Sequence, residues 1–230
     1  AYFFPRDETK SLVTVLLPTR KRVSMLKKSI DSLISLAANQ KGIEIILKID
    51  DDDAETIKCW EWLRTLLPVR ALVSPQGEGY SQLHTWVNEM SHMANGHWLF
   101  LWNDDAEMLT QDWDVGIETL GISEDSAWHG CPEVCYLVCQ TVGRDGAYEF
   151  GFLRRKVFEV LGHYSLNVHN DTWQAAVMGM LNSAFVIPVS VGHYSDKMTD
   201  EVRQKSEAAY KEGGKHLNST WCIRKKTEDV

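Results

Sequence analysis

The chain alternates short apolar runs with longer amphipathic ones. Residues 12–18 (LVTVLLP) form the first apolar run, closed by Pro18. Residues 43–49 (IEIILKI), 69–74 (VRALVS) and 97–102 (HWLFLW) are of the same kind. Apolar runs this short, rich in branched and aromatic side chains and bounded by turn residues, predict strands. In residues 23–39 the apolar positions Met25, Ile30, Leu33, Ile34, Leu36 and Ala37 recur at helical spacing. Residues 53–67 predict a second helix, with an Asp at its start and Pro68 just past its end. Residues 79–95 predict a third, after a Gly-rich turn.

Strands alternating with helices predict an α/β fold, a mostly parallel central sheet flanked by helices on both faces. Such sheets bind ligands in the crevice beyond the carboxyl ends of their strands. Polar residues stand at those ends here: Thr19 and Arg20 after the first strand, four aspartates at 50–53 after the second, and Asn103, Asp104 and Asp105 after the fourth. Three strand ends are thus expected to meet at one crevice.

The second half is less regular. Helices are expected over residues 112–122, 154–162, 170–182 (capped by Asn170 or Asp171) and 200–214. Strands are expected over 133–142, 147–153 and 184–191. No linker separates the halves, so residues 1–230 read as a single domain.

Charge narrows the classes of partner. With 24 basic and 32 acidic residues the formal charge is −8, a poor balance for gripping phosphate backbones. Local basic patches exist at residues 19–22 (TRKR) with Lys27 and Lys28, and at IRKK near the end; a solvated face is the bland account of both. No apolar run approaches the ~18 residues of a membrane span, and no basic-then-apolar leader is present. A soluble, cytoplasmic protein is the expectation. Cys131, Cys135 and Cys139 match no common zinc spacing and read as small apolar fillers of a buried strand.

The acidic cluster after the fourth strand carries the chemistry. On extended backbone, positions i and i+2 point the same way, so Asn103 and Asp105 would face one side and Asp104 the other. Carboxylate and amide oxygens suit a hard divalent cation such as Mg²⁺ or Mn²⁺, which commonly uses one or two carboxylates plus substrate phosphates. A solvated turn is the plainer account, since Asp and Asn form turns readily. The aspartates at 50–53 weigh against it, because four acids in a row repel unless a cation or hydrogen-bonding group meets them. At least one of them would cap the helix that follows.

Residues 11–33 (SLVTVLLPTRKRVSMLKKSIDSL), 43–56 (IEIILKIDDDDAET) and 79–108 (GYSQLHTWVNEMSHMANGHWLFLWNDDAEM) together resemble the family-2-type inverting glycosyltransferases with the GT-A fold. In that family a strand ends in Pro-Thr and a polar loop, and a second ends in an Asp that touches the nucleotide. A helix carrying Asn then precedes a Gly by eight residues, before an apolar strand and an Asp-x-Asp motif. Asn88 and Gly96 have that spacing here, and Asn103-Asp104-Asp105 stands in the Asp-x-Asp place. The resemblance is good over about residues 11–115 and thinner to about 195. It divides the chain into a nucleotide-sugar half (about 11–115), an acceptor half (about 116–200) and a C-terminal helix and tail (201–230).

The resemblance implies a metal-dependent enzyme that moves a sugar from a nucleotide-sugar, a UDP-sugar by preference, to an acceptor hydroxyl. Pro18, Thr19 and Arg20 would line the base or ribose pocket. Asp51 would meet the nucleotide, with Asp50 or Asp52 open by a one-residue slip. Asn88 and Asp104 would also serve the donor. Asp105 would bind Mn²⁺ or Mg²⁺ with Asn103 as a weaker partner, and His193 would be a further ligand. The family's catalytic base lies in an acidic pair at a helix start, where this chain has HNDTW; Asp171 would be the base, with Glu149 and Asp145 as alternatives. Trp102 and Trp173 offer flat faces for a sugar or base, against packing as the ordinary role of Trp.

Three departures from the family pattern bear on activity. Asn103 replaces the first acid of its motif, Asn170 replaces a Glu, and residues 79–88 are longer than usual. They leave open a non-catalytic nucleotide- or carbohydrate-binding module with a decayed site. A nucleotidyltransferase on a similar fold is a further alternative, though PTRKRVS lacks the Gly-rich phosphate loop of that class. The acceptor stays open among glycan, protein and modified nucleobase. The acidic balance weighs against nucleic acid without removing it.

Overall fold

The structure is a computed structural model that describes residues 11–119, 133–143 and 149–193, together with residue 211. In chain order its elements are β1 (Val13–Thr19), α1 (Val23–Ser35), β2 (Ile43–Asp50), α2 (Ala54–Leu63), β3 (Val69–Ser74), α3 (Leu83–Met93), β4 (Trp98–Leu101), β5 (Ala106–Met108) and α4 (Trp113–Thr119). There follow β6 (Tyr136–Val142), β7 (Gly151–Arg154), α5 (Arg155–Leu161), α6 (Asn170–Met180) and β8 (Ala184–His193). The expected helix at 200–214 apart from residue 211, the end of the one expected at 112–122, Cys131 and Asp145 lie outside the described residues.

One eight-stranded sheet runs in the order β3-β2-β1-β4-β7-β6-β8-β5. Strands β3, β2, β1 and β4 are all parallel, as alternation with helices requires. Beyond β4 the sheet is mixed, because β7 enters antiparallel between β4 and β6 while β6 and β8 run parallel. The inner strands of the parallel half are buried on both faces, β2 at every position, while the edge strand β3 is partly exposed. That explains why the β2 sequence is a nearly continuous apolar run, broken by Glu44 and Lys48, rather than an alternating one.

The two faces of the sheet hold two apolar layers. Val13, Val15, Leu17, Ile45 and Leu47 pack with Leu26, Ile30 and Leu33 of α1. Leu16, Ile46 and Leu99 point the other way, against Val87 and Met90 of α3, Val157 and Phe158 of α5, and Met178 of α6. Gly96 lets β4 enter beside β1. A Cβ there would lie 2.5 Å from the Thr14 backbone nitrogen, and the Gly96 N–H donates to Thr14 Oγ1 at 2.8 Å.

Several expected elements shift. Residues 79–82 form a 3₁₀ turn, and the α-helix begins only at Leu83. The cap residue of α6 is His169, so Asn170 and Asp171 lie inside its first turn and neither caps it. β5 was not foreseen; it is three residues long and pairs with β8. β8 itself runs two residues past the expected end, to His193. Cys59, Cys135 and Cys139 are buried free thiols. Among the described residues no helix is long and apolar enough to cross a membrane.

Candidate functional site

The loop after β1 organises the strand ends. Lys21 takes the left-handed conformation, with φ of 54°, and its N–H donates to Asp53 Oδ2 at 2.5 Å. The arginines on either side of it reach different acidic clusters. Arg20 pairs with Asp50 at 2.6 Å and with Asp52 at 2.8 Å. Arg22 pairs with Asp104 at 2.6 Å and approaches Asp105 at 3.5 Å.

The four aspartates after β2 divide their work. Asp50 is buried and is also paired with Lys48, which is itself buried within the sheet with its Nζ 4.3 Å from the centre of the Trp86 ring. The hydrogen bond from Arg20 holds the exposed Asp52 carboxyl down to about 2. Asp53 accepts from the Thr56 N–H at 3.2 Å and its hydroxyl at 2.7 Å, the expected helix cap. Burial would push the Asp53 carboxyl up, but those bonds and the Lys21 N–H hold it below its ordinary value. Asp51 is exposed, and its side chain has no hydrogen bond or ion pair among the described residues. The repulsion inferred from the sequence is therefore relieved largely by Arg20 and Lys48 of the chain itself.

Past β4, the three polar residues point as the alternation predicts. Asp104 is buried and accepts from Thr19 Oγ1 at 2.8 Å as well as from Arg22. Burial pushes its carboxyl up, and Arg22 and Thr19 only partly offset that. Asn103 and Asp105 face the other way, onto His193. Asp105 Oδ1 lies 3.2 Å from His193 Nε2, and Asn103 Nδ2 lies 3.4 Å from the same atom. Burial would raise Asp105, but the bond to His193 and the charges of His193 and Arg22 hold it below its ordinary value. The β5–β8 ladder sets this geometry, since it pairs Ala106 with His193.

His193 Nδ1 meets Glu149 Oε2 at 2.5 Å, and Phe150 lies edge-on to the imidazole with centroids 5.4 Å apart. Burial lowers the imidazole, but its hydrogen bonds to Asp105 and Glu149 win and carry it up to about 9. Behind the cluster, Trp102 is fully buried, and its Nε1–H donates to Ser29 Oγ at 2.6 Å. The Ser29 hydroxyl donates in turn to the Asn103 carbonyl at 3.1 Å. Trp102 therefore packs and cannot offer a face to a ligand.

The remaining expected residues are placed as follows. Pro18 is half-buried in β1. Asn88 is not free for a donor: its Oδ1 accepts from the Tyr164 and Ser165 N–H groups at 2.6 and 3.2 Å, and its Nδ2 donates to the Ser165 carbonyl at 2.9 Å. It anchors the 164–165 loop to α3. Asp171 is half-buried in the first turn of α6 and accepts from the Thr172 N–H at 2.7 Å. Crowding by surrounding atoms, and then the nearby charge of Glu149, push its carboxyl above the ordinary range. Asn170 beside it is buried, and its Oδ1 has no hydrogen-bond partner among the described residues. Trp173 is half-buried near His163, with ring centroids 6.1 Å apart.

Two roles were not assigned from the sequence. Arg22 was seen only as part of a basic patch, although its place two residues after Arg20 was the available signal. Glu149 stood only as an alternative base, and its contact with His193 depends on a ladder that no local pattern announces.

The donor set can be tested against a divalent cation. Among the described residues no group of three or more His, Cys, Asp or Glu side chains is arranged to hold a metal. The convergent set is one carboxylate and one imidazole, with the Asn103 amide beside them turning its Nδ2 toward the ring. The 3.2 Å between Asp105 Oδ1 and His193 Nε2 suits adjacent ligands of one cation, since bonds of about 2.1 Å at right angles put ligand atoms roughly 3 Å apart. A set this small fits an ion that completes its shell with substrate phosphates. With imidazole present it favours Mn²⁺ over Mg²⁺.

The sequence matches no family model and no curated protein. The structure does match solved ones. A mannosyltransferase, PcManGT from Pyrobaculum calidifontis, solved with GDP-Man and Mn²⁺, superposes with a TM-score of 0.66 at 16% identity, over 84% of this chain and 59% of that one. S. aureus TarS 1–349, solved with UDP-GlcNAc, superposes with a TM-score of 0.58 at 12% identity, over 81% of this chain and 60% of that one. This chain thus spans about three fifths of the length of these neighbours. The fold is the GT-A-like α/β fold, and in it the chain resembles glycosyltransferases of known structure.

Proposed function

We propose that this chain is a metal-dependent inverting glycosyltransferase that moves a sugar from a nucleotide-sugar, a UDP-sugar by preference, to an acceptor hydroxyl. The observation that carries the reading is the meeting of Asp105 and His193, residues 88 apart in sequence, at 3.2 Å beside the ends of β1, β2 and β4. Two structural neighbours solved with nucleotide-sugars, one of them with Mn²⁺, support it.

In this reading Asp105 and His193 hold the cation, with the Asn103 amide as a weaker donor. The bound cation supplies positive charge that stabilises the diphosphate leaving group. Thr19 and Arg22 keep Asp104 fixed and neutralised behind it. Asp51, the member of its run without a side-chain partner among the described residues, meets the ribose or base. Asp171 takes the proton of the acceptor hydroxyl as that oxygen attacks the anomeric carbon and the bond to the diphosphate breaks. A raised carboxyl pKa suits a general base working near neutrality. One displacement of this kind inverts the anomeric centre.

One observation favours a non-catalytic binding module instead. Without a cation Asp104 is already paired with Arg22 and Asp105 with His193, so neither acid needs a metal for a partner. Calorimetric titration of UDP and of GDP, each with and without Mn²⁺, tests both. Micromolar UDP binding that requires Mn²⁺, followed by turnover of a UDP-sugar, is the expected result. Metal-independent binding without turnover would support the binding module, and no nucleotide binding under any condition would end both readings.

A further inference from the structure

We infer that Glu149 is a positioning residue for the cation site: its carboxylate fixes the imidazole of His193 so that Nε2 faces Asp105. The inference rests on the reading that Asp105 and His193 hold the cation.

The geometry is that of a carboxylate behind a metal-binding histidine. Glu149 Oε2 lies 2.5 Å from His193 Nδ1, on the ring edge that faces away from Asp105. A group there accepts the Nδ1 proton, so that once Nε2 has released its own proton to solvent its lone pair is free for a cation. Such partners set the tautomer and raise the basicity of the ligand, and their loss typically costs about 10- to 100-fold in metal affinity. Two further contacts restrict the ring. Phe150, the residue next to Glu149, stands edge-on to it at 81°, and the β5–β8 ladder fixes its backbone. Glu149 precedes β7, and His193 ends β8. The contact therefore joins two strands of the mixed half of the sheet to the acidic end of β4.

The same geometry separates this role from catalysis by Glu149. Its Oε2 is committed to the imidazole, so the general base falls to Asp171.

The test measures Mn²⁺ binding directly, by electron paramagnetic resonance of free Mn²⁺, with no donor present. His193→Ala and Asp105→Ala establish the site. Glu149→Leu, similar in size but without an acceptor, is expected to weaken Mn²⁺ by 10- to 100-fold. Glu149→Gln keeps an oxygen opposite Nδ1 and is expected to stay within about tenfold of the parent. A second readout needs no variant: the imidazole ¹⁵N signals of the Mg²⁺-loaded protein are expected to show a protonated Nδ1 and an unprotonated Nε2. Parent-like Mn²⁺ affinity in Glu149→Leu, or the opposite tautomer, overturns the inference. If His193→Ala and Asp105→Ala also bind Mn²⁺ like the parent, the cation site itself is wrong, which is a different failure.

Discussion

Arg22 Nη1 lies 2.6 Å from Asp104 Oδ1, while the neighbouring Asp105 is held by His193 from the far end of the sheet. Two adjacent acids are thus neutralised by opposite halves of the chain. Asp104 is 5% exposed, so removal of its cation strands a buried carboxylate. Breaking a buried pair costs about 3–5 kcal/mol, but Arg22 is one third exposed and the Thr19 bond remains. Arg22→Ala is therefore expected to lose about 2 kcal/mol at pH 7. Urea unfolding followed by Trp fluorescence measures this, and a loss under half a kilocalorie would mean that Arg22 is not what neutralises Asp104.

Crowding by surrounding atoms, and then the nearby charge of Glu149, keep the Asp171 carboxyl above its ordinary value. A base works only when deprotonated, so activity should rise with pH through the Asp171 pKa, with the acidic limb above the ordinary carboxylate value of about 3.9. Asp171→Asn keeps size and helix position. It should lower kcat by about 10²- to 10⁴-fold while leaving UDP affinity unchanged within error. Steady-state transfer rates and UDP titration of the same preparation check both halves. Near-parent turnover in the variant would return the role of base to the other acids.

The parallel half of the sheet was legible because burial of its inner strands on both faces forces nearly continuous apolar runs, as in β2, and the helices between them carry plain periodicity. Strand ends could be read for the same reason: polar residues that close such a run must sit at its carboxyl end. What the acids there do was less legible. Asp50, Asp52 and Asp53 look alike in sequence, yet one is held by Lys48 and Arg20, one by Arg20 with Lys21 at 3.7 Å and one by the backbone of α2. Those partners lie on other elements. Asn88 matched a family spacing, but its amide is consumed by the 164–165 loop. β5 is too short to show any period, and with it went the register that brings His193 to Asp105.

Ser29 links Trp102 to the Asn103 carbonyl, and so ties the acidic turn to α1. Ser29→Ala leaves a buried indole N–H without its acceptor, which costs about 1–3 kcal/mol. Adding Trp102→Phe removes that orphan donor, so the double variant should fall short of the sum of the two single losses. A double-mutant cycle by urea unfolding checks the coupling. Strict additivity would show that the indole finds another partner and that the turn does not depend on Ser29.

His193 also predicts a pH dependence that is measurable without any substrate. In the metal-free fold its imidazole is raised to about 9 by Asp105 and Glu149, against 6.5 when unperturbed. The folded state thus binds this proton more tightly than the unfolded one. The contribution is complete below about pH 6.5 and is lost as pH rises through about 9, where the folded form also releases the proton. With EDTA present, stability attributable to His193 should fall by on the order of 2 kcal/mol between pH 6 and pH 10. Urea midpoints of the parent and of His193→Gln across that range isolate it, because other groups titrate in both proteins. Mn²⁺ competes with the Nε2 proton, so its affinity should rise over the same window in which the stability is lost. Parallel pH profiles for the parent and His193→Gln would show that the imidazole is not held by the two carboxylates.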